Sequence, residues 1–247
     1  LRFEPVSDPS QQLPVGMVGV VDPGGFDVER CQFGKASVDS GNAVLQWMAR
    51  GEEMGRAGIL QGLVMAPVET ASLKATGKVK DIDELQPAGT FMLRMSGKLR
   101  VVPLTEHVPL LDAIAMATPQ RIYQVIEMAD AAMRGWGFEK PRIAVAGINP
   151  HAMFPQDEER IGPAVEKARA RGIDAHGPLV PDAVFRQCIQ GQWDVVVTMF
   201  HDQGQIPVKT VGFEGACTVY IGLPFVMLNV PPDMSSVSFR IHPEARF

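Results

Sequence analysis

The sequence DVVVTMFHDQG, residues Asp194–Gly204, joins a short apolar run to a cluster of polar side chains. The run Asp194–Phe200 is rich in valine and too short for a typical helix, so it predicts a strand buried on both faces. Such strands belong to parallel sheets that helices cover on both sides. The polar residues His201, Asp202 and Gln203 would then stand at the carboxyl end of the strand, where open α/β sheets bind their ligands.

The rest of the chain alternates between predicted strands and helices, which indicates an α/β fold with a largely parallel sheet. Asp182 is predicted to be the N-cap of the last helix, and Asp22-Pro23-Gly24-Gly25 predicts a hairpin near the N-terminus. The predicted helices are Ser40–Gly51, Ala71–Thr76, Pro119–Arg134, Glu158–Arg171 and Ala183–Gln190. The predicted strands are Ile59–Met65, Lys98–Leu104, Arg142–Ile148, Asp194–Phe200 and Ala216–Gly222.

The composition excludes several classes of protein. The 247 residues are 46% hydrophobic and 21% charged, an ordinary balance for one large or two modest globular domains. The net charge of −5 and the absence of a basic run argue against nucleic-acid binding, and no apolar run reaches the length of a membrane span. Cys31, Cys188 and Cys217 form no disulfide or metal pattern, which predicts free thiols and a cytoplasmic protein. The chain opens at Leu1, so we expect further residues upstream.

Three of the five histidines, His107, His151 and His201, follow the second, third and fourth predicted strands. Because the carboxyl ends of parallel strands share one edge, the three imidazoles could meet on one divalent ion that keeps an open position. Asp202 could be a second metal ligand, an orienter of an imidazole or a helix cap. Lys209, eight residues past His201, could meet an anionic substrate group or assist proton transfer.

The segments that carry these histidines resemble motifs of the 4-hydroxythreonine-4-phosphate dehydrogenase (PdxA) family. The resemblance lies in Pro141–Ala152, which reads PRIAVAGINPHA, and in Met199–Lys209, which reads MFHDQGQIPVK. The segment Leu99–Leu110 matches the family motif that contains the remaining histidine. The similarity runs in order from about residue 34 to about residue 229. The whole chain, 1–247, is therefore interpreted as one PdxA-like dehydrogenase region.

The resemblance implies an NAD-dependent dehydrogenase that acts on a CH–OH group. It implies the two-domain fold of isocitrate and isopropylmalate dehydrogenases, with a mostly parallel sheet, interleaved α/β domains and an active-site cleft between them. It also implies a homodimer in which the three histidines hold a divalent metal (Zn, Mg, Mn or Co), with ligands from both subunits. By motif, Asp202 and Lys209, together with Asp182, would serve the substrate and proton transfer.

Several positions depart from the family pattern. The family's phosphate-contacting Gly-His-Thr-Glu motif should fall near residues 79–86, where this chain reads VKDIDELQ. Thr218 replaces an Asn, Met227 replaces an Arg, and Glu69-Thr70 replaces an Asn-Lys pair. Most of these changes remove a donor or a positive charge from a phosphate site. The sequence therefore predicts an unphosphorylated hydroxy-acid or diol substrate, with decarboxylation as an optional further step.

Two alternatives stay open. One is the 4-hydroxythreonine-4-phosphate dehydrogenase of vitamin B6 synthesis itself, and the other is a non-catalytic metal- or metabolite-binding homologue. The family's glycine-rich loop after His151-Ala152 is replaced by Met153–Gln156, and its cofactor-associated Ser-x-Asp-His-Gly stretch does not follow Asn229. No cofactor-binding residue is therefore assigned, and NAD comes from the family alone.

Overall fold

The computed structural model describes residues 2–32, 34–212 and 216–229. Within these ranges the chain forms seven α-helices and ten β-strands, besides short 3-10 turns. The chain divides into two compact units. The first contains residues 2–87 and 223–227, and the second contains residues 88–222 and 228–229. The family stretch expected after Asn229 lies outside the described residues.

The first unit holds a two-stranded parallel ribbon, a further strand and two helices. Its elements are β1 (Arg2–Pro5), β2 (Met17–Val20), α1 (Val38–Arg56), β3 (Gly62–Met65) and α2 (Thr70–Ala75). The Ser37 hydroxyl caps α1 by accepting a hydrogen bond from the Ser40 N–H at 3.0 Å. The Glu69 carboxylate caps α2 by accepting from the N–H groups of Ala71 and Ser72, at 2.9 and 2.6 Å.

The second unit contains a six-stranded sheet with helices on both faces. Its elements are β4 (Phe91–Ser96), β5 (Leu99–Pro103), α3 (Leu110–Met116), α4 (Pro119–Gly135), β6 (Arg142–Ala146), α5 (Pro155–Ala170), β7 (Asp174–Leu179), α6 (Val184–Ile189), β8 (Val195–Thr198), α7 (His201–Val211) and β9 (Cys217–Ile221). The last described strand, β10 (Val226–Asn229), has residues in both units. The strand order is β9-β4-β5-β8-β6-β7. Strands β5, β8, β6 and β7 are parallel, and β4 is antiparallel to both its neighbours. The predicted α/β class with a mostly parallel sheet is confirmed.

Strand β8 is buried on both faces, as its valine run predicts. Val195 and Val197 pack in a cluster that includes Ile126 of α4, while Val196 packs on the other face with Val184 of α6. Burying one valine side chain contributes about 1.5–3 kcal/mol. The strand that leads to His201 is therefore anchored from both sides.

The five predicted helices and five predicted strands are all present, with ends that differ by a few residues. The periodicity missed the strands β1, β2, β4, β7 and β10 and the helices α3 and α7. Strand β7 reads DAHGPL and lacks an apolar run, while α7 contains Gly204 and Pro207, which are unfavourable inside helices. These elements owe their conformation to packing within the folded unit, which local periodicity does not reveal.

Two local predictions were wrong. The turn Asp22–Gly25 was expected to make a hairpin, but residues 21–27 contain no strand, and β1 and β2 pair in parallel instead. Asp182 does not cap α6, whose N-cap residue is Ala183 and has no side-chain cap bond. The Val180 carbonyl accepts the N–H groups of both Ala183 and Val184, each at 3.2 Å, so a backbone turn begins this helix.

The three cysteines are free thiols, as predicted. Burial raises the pKa of the Cys188 thiol and of the Cys217 thiol, which keeps both in the unreactive protonated form at neutral pH. Within the described residues, no helix combines the length and the hydropathy that a membrane crossing needs.

An ion pair joins the beginnings of β6 and β8. The Arg142 guanidinium donates to both carboxylate oxygens of Asp194, at 2.9 and 3.0 Å, and the Arg142 backbone N–H donates at 2.8 Å. Burial alone would raise the pKa of Asp194, but the hydrogen bonds and the charge of Arg142 outweigh it and lower the pKa. A lowered folded-state pKa contributes stability above the unfolded-state pKa, near about 4, and that stability is lost as the pH falls through the folded-state pKa.

We expect Asp194→Asn to lower the free energy of unfolding by about 1–2 kcal/mol at pH 7, because charge-assisted hydrogen bonds are lost. The deficit should shrink as the pH falls below about 4, where the unfolded wild-type chain begins to protonate this carboxylate, and should vanish once the pH passes the lowered folded-state pKa. Urea unfolding of both proteins across this pH range measures the difference. A deficit that is constant with pH would contradict a charge-based contribution.

Candidate active site

His107 and His201 lie side by side at the carboxyl edge of the sheet. His107 follows β5, and His201 is the first residue of α7, directly after β8. Because β5 and β8 are parallel neighbours, their carboxyl ends deliver both imidazoles to one place. The ring centroids are 4.7 Å apart and the ring planes are tilted by 49°. Two of the three histidines predicted to meet are therefore adjacent.

The carboxylate of Asp202 orients the ring of His201. Its Oδ1 atom lies 2.7 Å from Nδ1 of His201. A carboxylate on one ring nitrogen fixes the tautomer and leaves Nε2 as the nitrogen that can face a cation. Of the three roles considered for Asp202, this contact corresponds to the orienter.

His151 stands apart from the other two histidines. It follows β6, the neighbour of β8 on the other side from β5, so the three histidines do follow three adjacent strands. However, among the residues that the structure describes, no three His, Cys, Asp or Glu side chains are close enough to hold one metal ion. Within the described residues of one chain the three imidazoles therefore form no metal-binding cluster, and the three-histidine site that draws on two subunits stays a prediction.

A cleft of about 440 Å³ brings together the remaining candidate residues except Lys209. His151, Asp182 and Asp202 line it, together with the amides of Asn149 and Gln203. The rest of the lining is mostly apolar and includes the side chains of Phe185, Ile206, Pro181 and Pro207. An apolar cleft with a few convergent polar groups is typical of a small-molecule site.

Lys209 does not line this cleft. It lies on the exposed side of α7, about two turns beyond His201. The structure therefore places Lys209 on the helix that begins with His201, but it does not bring the two side chains together.

Gln203, one of the polar residues that follow β8, is a site residue to which the sequence assigned no role. Its Oε1 atom accepts from the Met199 N–H at 2.8 Å, and its Nε2 atom donates to the Gly147 carbonyl at 2.7 Å. Met199 follows β8 and Gly147 follows β6, so one amide links the ends of the strands that lead to His201 and His151. The motif made Gln203 visible as a polar residue, but only the strand order reveals the link.

A buried ion pair supports the segment that carries His107. Arg94 on β4 forms a two-pronged pair with Glu106, and the Nη1–Oε1 distance is 3.1 Å. The Arg94 and Glu106 side chains are only 5% and 14% exposed. Removing one partner of such a pair leaves a buried charge uncompensated, which is strongly destabilising. Sequence reasoning missed this pair because the periodicity did not predict β4.

The imidazoles of His107 and His201 are suitable ligands for a divalent metal ion. His107 and His201 offer two neighbouring imidazoles, and a carboxylate already holds one of them in the orientation typical of metal-ligating histidines. Imidazole ligands suit zinc, cobalt and nickel, and they leave positions for a third ligand and a substrate.

Comparison with known proteins places the chain among related enzymes. The family model described as "Pyridoxal phosphate biosynthetic protein PdxA" matches residues 2–232. A D-threonate 4-phosphate dehydrogenase of Salmonella typhimurium is 36% identical over 222 residues, which cover 85% of this chain and 68% of that protein. A 4-hydroxythreonine-4-phosphate dehydrogenase of Beijerinckia indica is 40% identical over 211 residues, which cover 81% of this chain and 62% of that protein. The chain thus spans about two thirds of the length of these relatives.

Two solved structures extend the comparison. The crystal structure of 4-hydroxythreonine-4-phosphate dehydrogenase from Klebsiella pneumoniae matches with a TM-score of 0.81 at 31% identity, over 93% of this chain and 74% of that chain. A terephthalate 1,2-cis-dihydrodiol dehydrogenase from Burkholderia xenovorans LB400 matches with a TM-score of 0.68 at 22% identity, over 97% and 82%. The second likeness shows the fold alone.

Proposed function

The chain belongs to the PdxA family, and from this membership we propose that it is an NAD- and metal-dependent dehydrogenase that oxidises a secondary alcohol of a phosphorylated hydroxy acid. The family predicted from the sequence is confirmed, and its named relatives are dehydrogenases. The observation that carries the proposal is the pair of adjacent imidazoles, His107 and His201, with Asp202 on the second ring.

In this proposal His107 and His201 of one chain hold the metal, and His151 of a second copy completes the site. When bound, the metal polarises the substrate hydroxyl and NAD accepts the hydride. Asp202 keeps the His201 ring in its ligating orientation. Asp182 lines the cleft that takes the polar carbon chain of the substrate, and Lys209, as the neutral amine, accepts the hydroxyl proton.

A homodimer agrees with the surface around the histidines. His107 and His151 are exposed, and large apolar side chains that are also exposed flank both of them. Leu111 is 84% exposed and Met153 is 71% exposed. Exposed large apolar side chains beside functional residues are typical of protein interfaces, so we propose that a second copy of the chain covers them.

The phosphorylated substrate replaces the unphosphorylated one expected from the sequence. Both named relatives are dehydrogenases of 4-phosphates. The carboxylates that made a phosphate substrate unfavourable in the sequence form hydrogen bonds or ion pairs with neighbouring residues. Burial alone would raise the pKa of Glu69, but the two N–H bonds that it accepts as a helix cap outweigh burial and lower the pKa. Asp81 pairs with Lys74 at 3.2 Å. Residues 74–84 contain three lysines and three carboxylates, so this stretch carries no net negative charge.

The test compares D-threonate 4-phosphate and 4-hydroxythreonine 4-phosphate with their dephosphorylated forms, following NADH formation. We expect kcat/KM to be higher by about 10²–10⁴-fold for the phosphorylated forms, which is the effect that about two charge-assisted hydrogen bonds to a phosphate would have. Equal or faster oxidation of the dephosphorylated forms, or of a diol, would restore the unphosphorylated substrate. No NADH from any substrate, in a protein that binds metal, would favour the non-catalytic homologue. The cytoplasmic location stays a prediction.

A further inference from the structure

A buried carboxylate, Asp157, lies behind the turn that carries His151. Its side chain is completely buried. Oδ1 accepts from the N–H groups of Ile148 and Asn149, at 2.6 and 3.2 Å. Oδ2 accepts from the side-chain amide of Asn149 at 3.1 Å and from the Phe154 N–H at 3.3 Å. All four donors belong to residues 148–154, so the carboxylate binds this segment on both sides of His151.

Helix capping alone does not account for these bonds. Asp157 is the third residue of α5, and only its longest bond, to the Phe154 N–H, is a capping interaction. The other three bonds go to Ile148 and Asn149, which precede the helix by several residues. Most of the carboxylate's hydrogen-bonding capacity therefore serves the turn after β6.

That turn has a backbone conformation that needs outside support. The φ angles of His151 and Ala152 are 58° and 52°, in the left-handed region that residues with a Cβ atom avoid. Such a conformation persists only where the surrounding structure over-determines it. The bonds from Asp157 to both ends of the turn supply that constraint.

We propose that Asp157 is a positioning residue for the metal site: its carboxylate fixes the turn so that the His151 imidazole is held ready to bind a divalent cation. This inference rests on the proposed function, in which His151 is a metal ligand. Asp157 touches neither metal nor substrate and acts only through His151.

The experiment measures Co²⁺ binding to the metal-free full-length chain by absorbance titration. Asp157→Asn keeps the size of the side chain but turns one acceptor into a donor that faces N–H groups. We expect its Co²⁺ affinity to fall by about 10- to 100-fold, as for other residues that orient a metal ligand. We also expect kcat to fall while the KM for NAD stays unchanged. A purely structural role would reduce the folded fraction and leave the affinity of the folded protein as in wild type.

Two further variants keep the test decisive. Asp130→Asn changes another buried carboxylate, which bonds to Arg134 at 2.8 Å on α4, and it should bind Co²⁺ like the wild type. Asn149→Ala removes only the 3.1 Å side-chain bond to Asp157, so it should fold and bind Co²⁺ several-fold more weakly. If Asp157→Asn does not fold, the Co²⁺ affinity of Asn149→Ala tests the positioning role instead.

The outcomes separate this inference from the proposed function. Wild-type Co²⁺ affinity in a folded Asp157→Asn or in Asn149→Ala, beside a His151→Ala that binds poorly, would overturn the positioning role alone. Wild-type affinity in His151→Ala, or no Co²⁺ binding by the wild type, would overturn the proposed metal site and the positioning role with it.

Discussion

Replacing His201 with alanine should abolish binding of the proposed divalent metal and lower kcat/KM by about 10³-fold or more. The metal contributes several kcal/mol to the stabilisation of developing charge, and each 1.36 kcal/mol changes the rate tenfold. His107→Ala should have the same effect, because its ring lies 4.7 Å from that of His201 and belongs to the same proposed ligand set. Elemental analysis of the purified proteins and NADH formation measure the two effects.

His176→Ala is the matched control for these variants. His176 lies on β7 of the same sheet, and its Nε2 atom contacts Asp174 at 2.8 Å. It follows no strand end, so its loss should leave metal content and kcat/KM close to wild type. If His201→Ala retained a full equivalent of metal, the adjacent imidazoles would have to be assigned a different role.

Replacing Lys209 with methionine should lower kcat by about 10²–10⁴-fold while the metal content stays at the wild-type level. Oxidation of an alcohol releases the hydroxyl proton, and a positioned proton acceptor typically contributes a factor of this size. The Lys209 side chain is exposed and lies outside the cleft formed within this unit. The effect therefore requires that the assembled enzyme bring substrate to that side of α7.

Lys167→Met serves as the control for this second prediction. Lys167 lies on α5, where its ammonium group is 4.1 Å from the centre of the Tyr123 ring and donates to Gln120 at 3.1 Å. The same loss of charge at this position should leave kcat unchanged. A Lys209→Met enzyme that turns over at the wild-type rate would exclude Lys209 from proton transfer.

The sequence predicted those helices and strands whose buried residues form a regular apolar pattern along the chain. Strand β8 was visible because both of its faces are covered, which makes Val195, Val196 and Val197 a continuous apolar run. Helix α7 was not visible, because Gly204 and Pro207 lower its intrinsic propensity. Gly204 is required by packing: a Cβ atom there would lie 2.7 Å from Cγ1 of Val101 and 2.8 Å from Oγ1 of Thr198.

The sequence predicted the candidate site residues that follow strands, but not the features that depend on strand order or on contacts between distant residues. The sequence predicted that three histidines follow three strands. It did not predict the strand order β5-β8-β6 or the left-handed backbone of the turn that contains His151. Arg94 and Asp157 look like surface residues in the sequence. Their burial depends on Glu106 and on the N–H groups of residues 148–154, which only the folded chain brings to them.

In the proposed dimer, the side chain of Gln203 links two histidines that belong to different metal sites. If each metal takes His107 and His201 from one copy and His151 from the other, then His151 and His201 of a single chain serve different metal ions. The Gln203 amide bonds the Gly147 carbonyl to the Met199 N–H, and thereby joins the strand ends that lead to these two histidines. A shift of one strand end can then reach the other through this amide, in addition to the direct pairing of β6 with β8. In the proposed dimer, each subunit would therefore connect two active centres through the Gln203 amide.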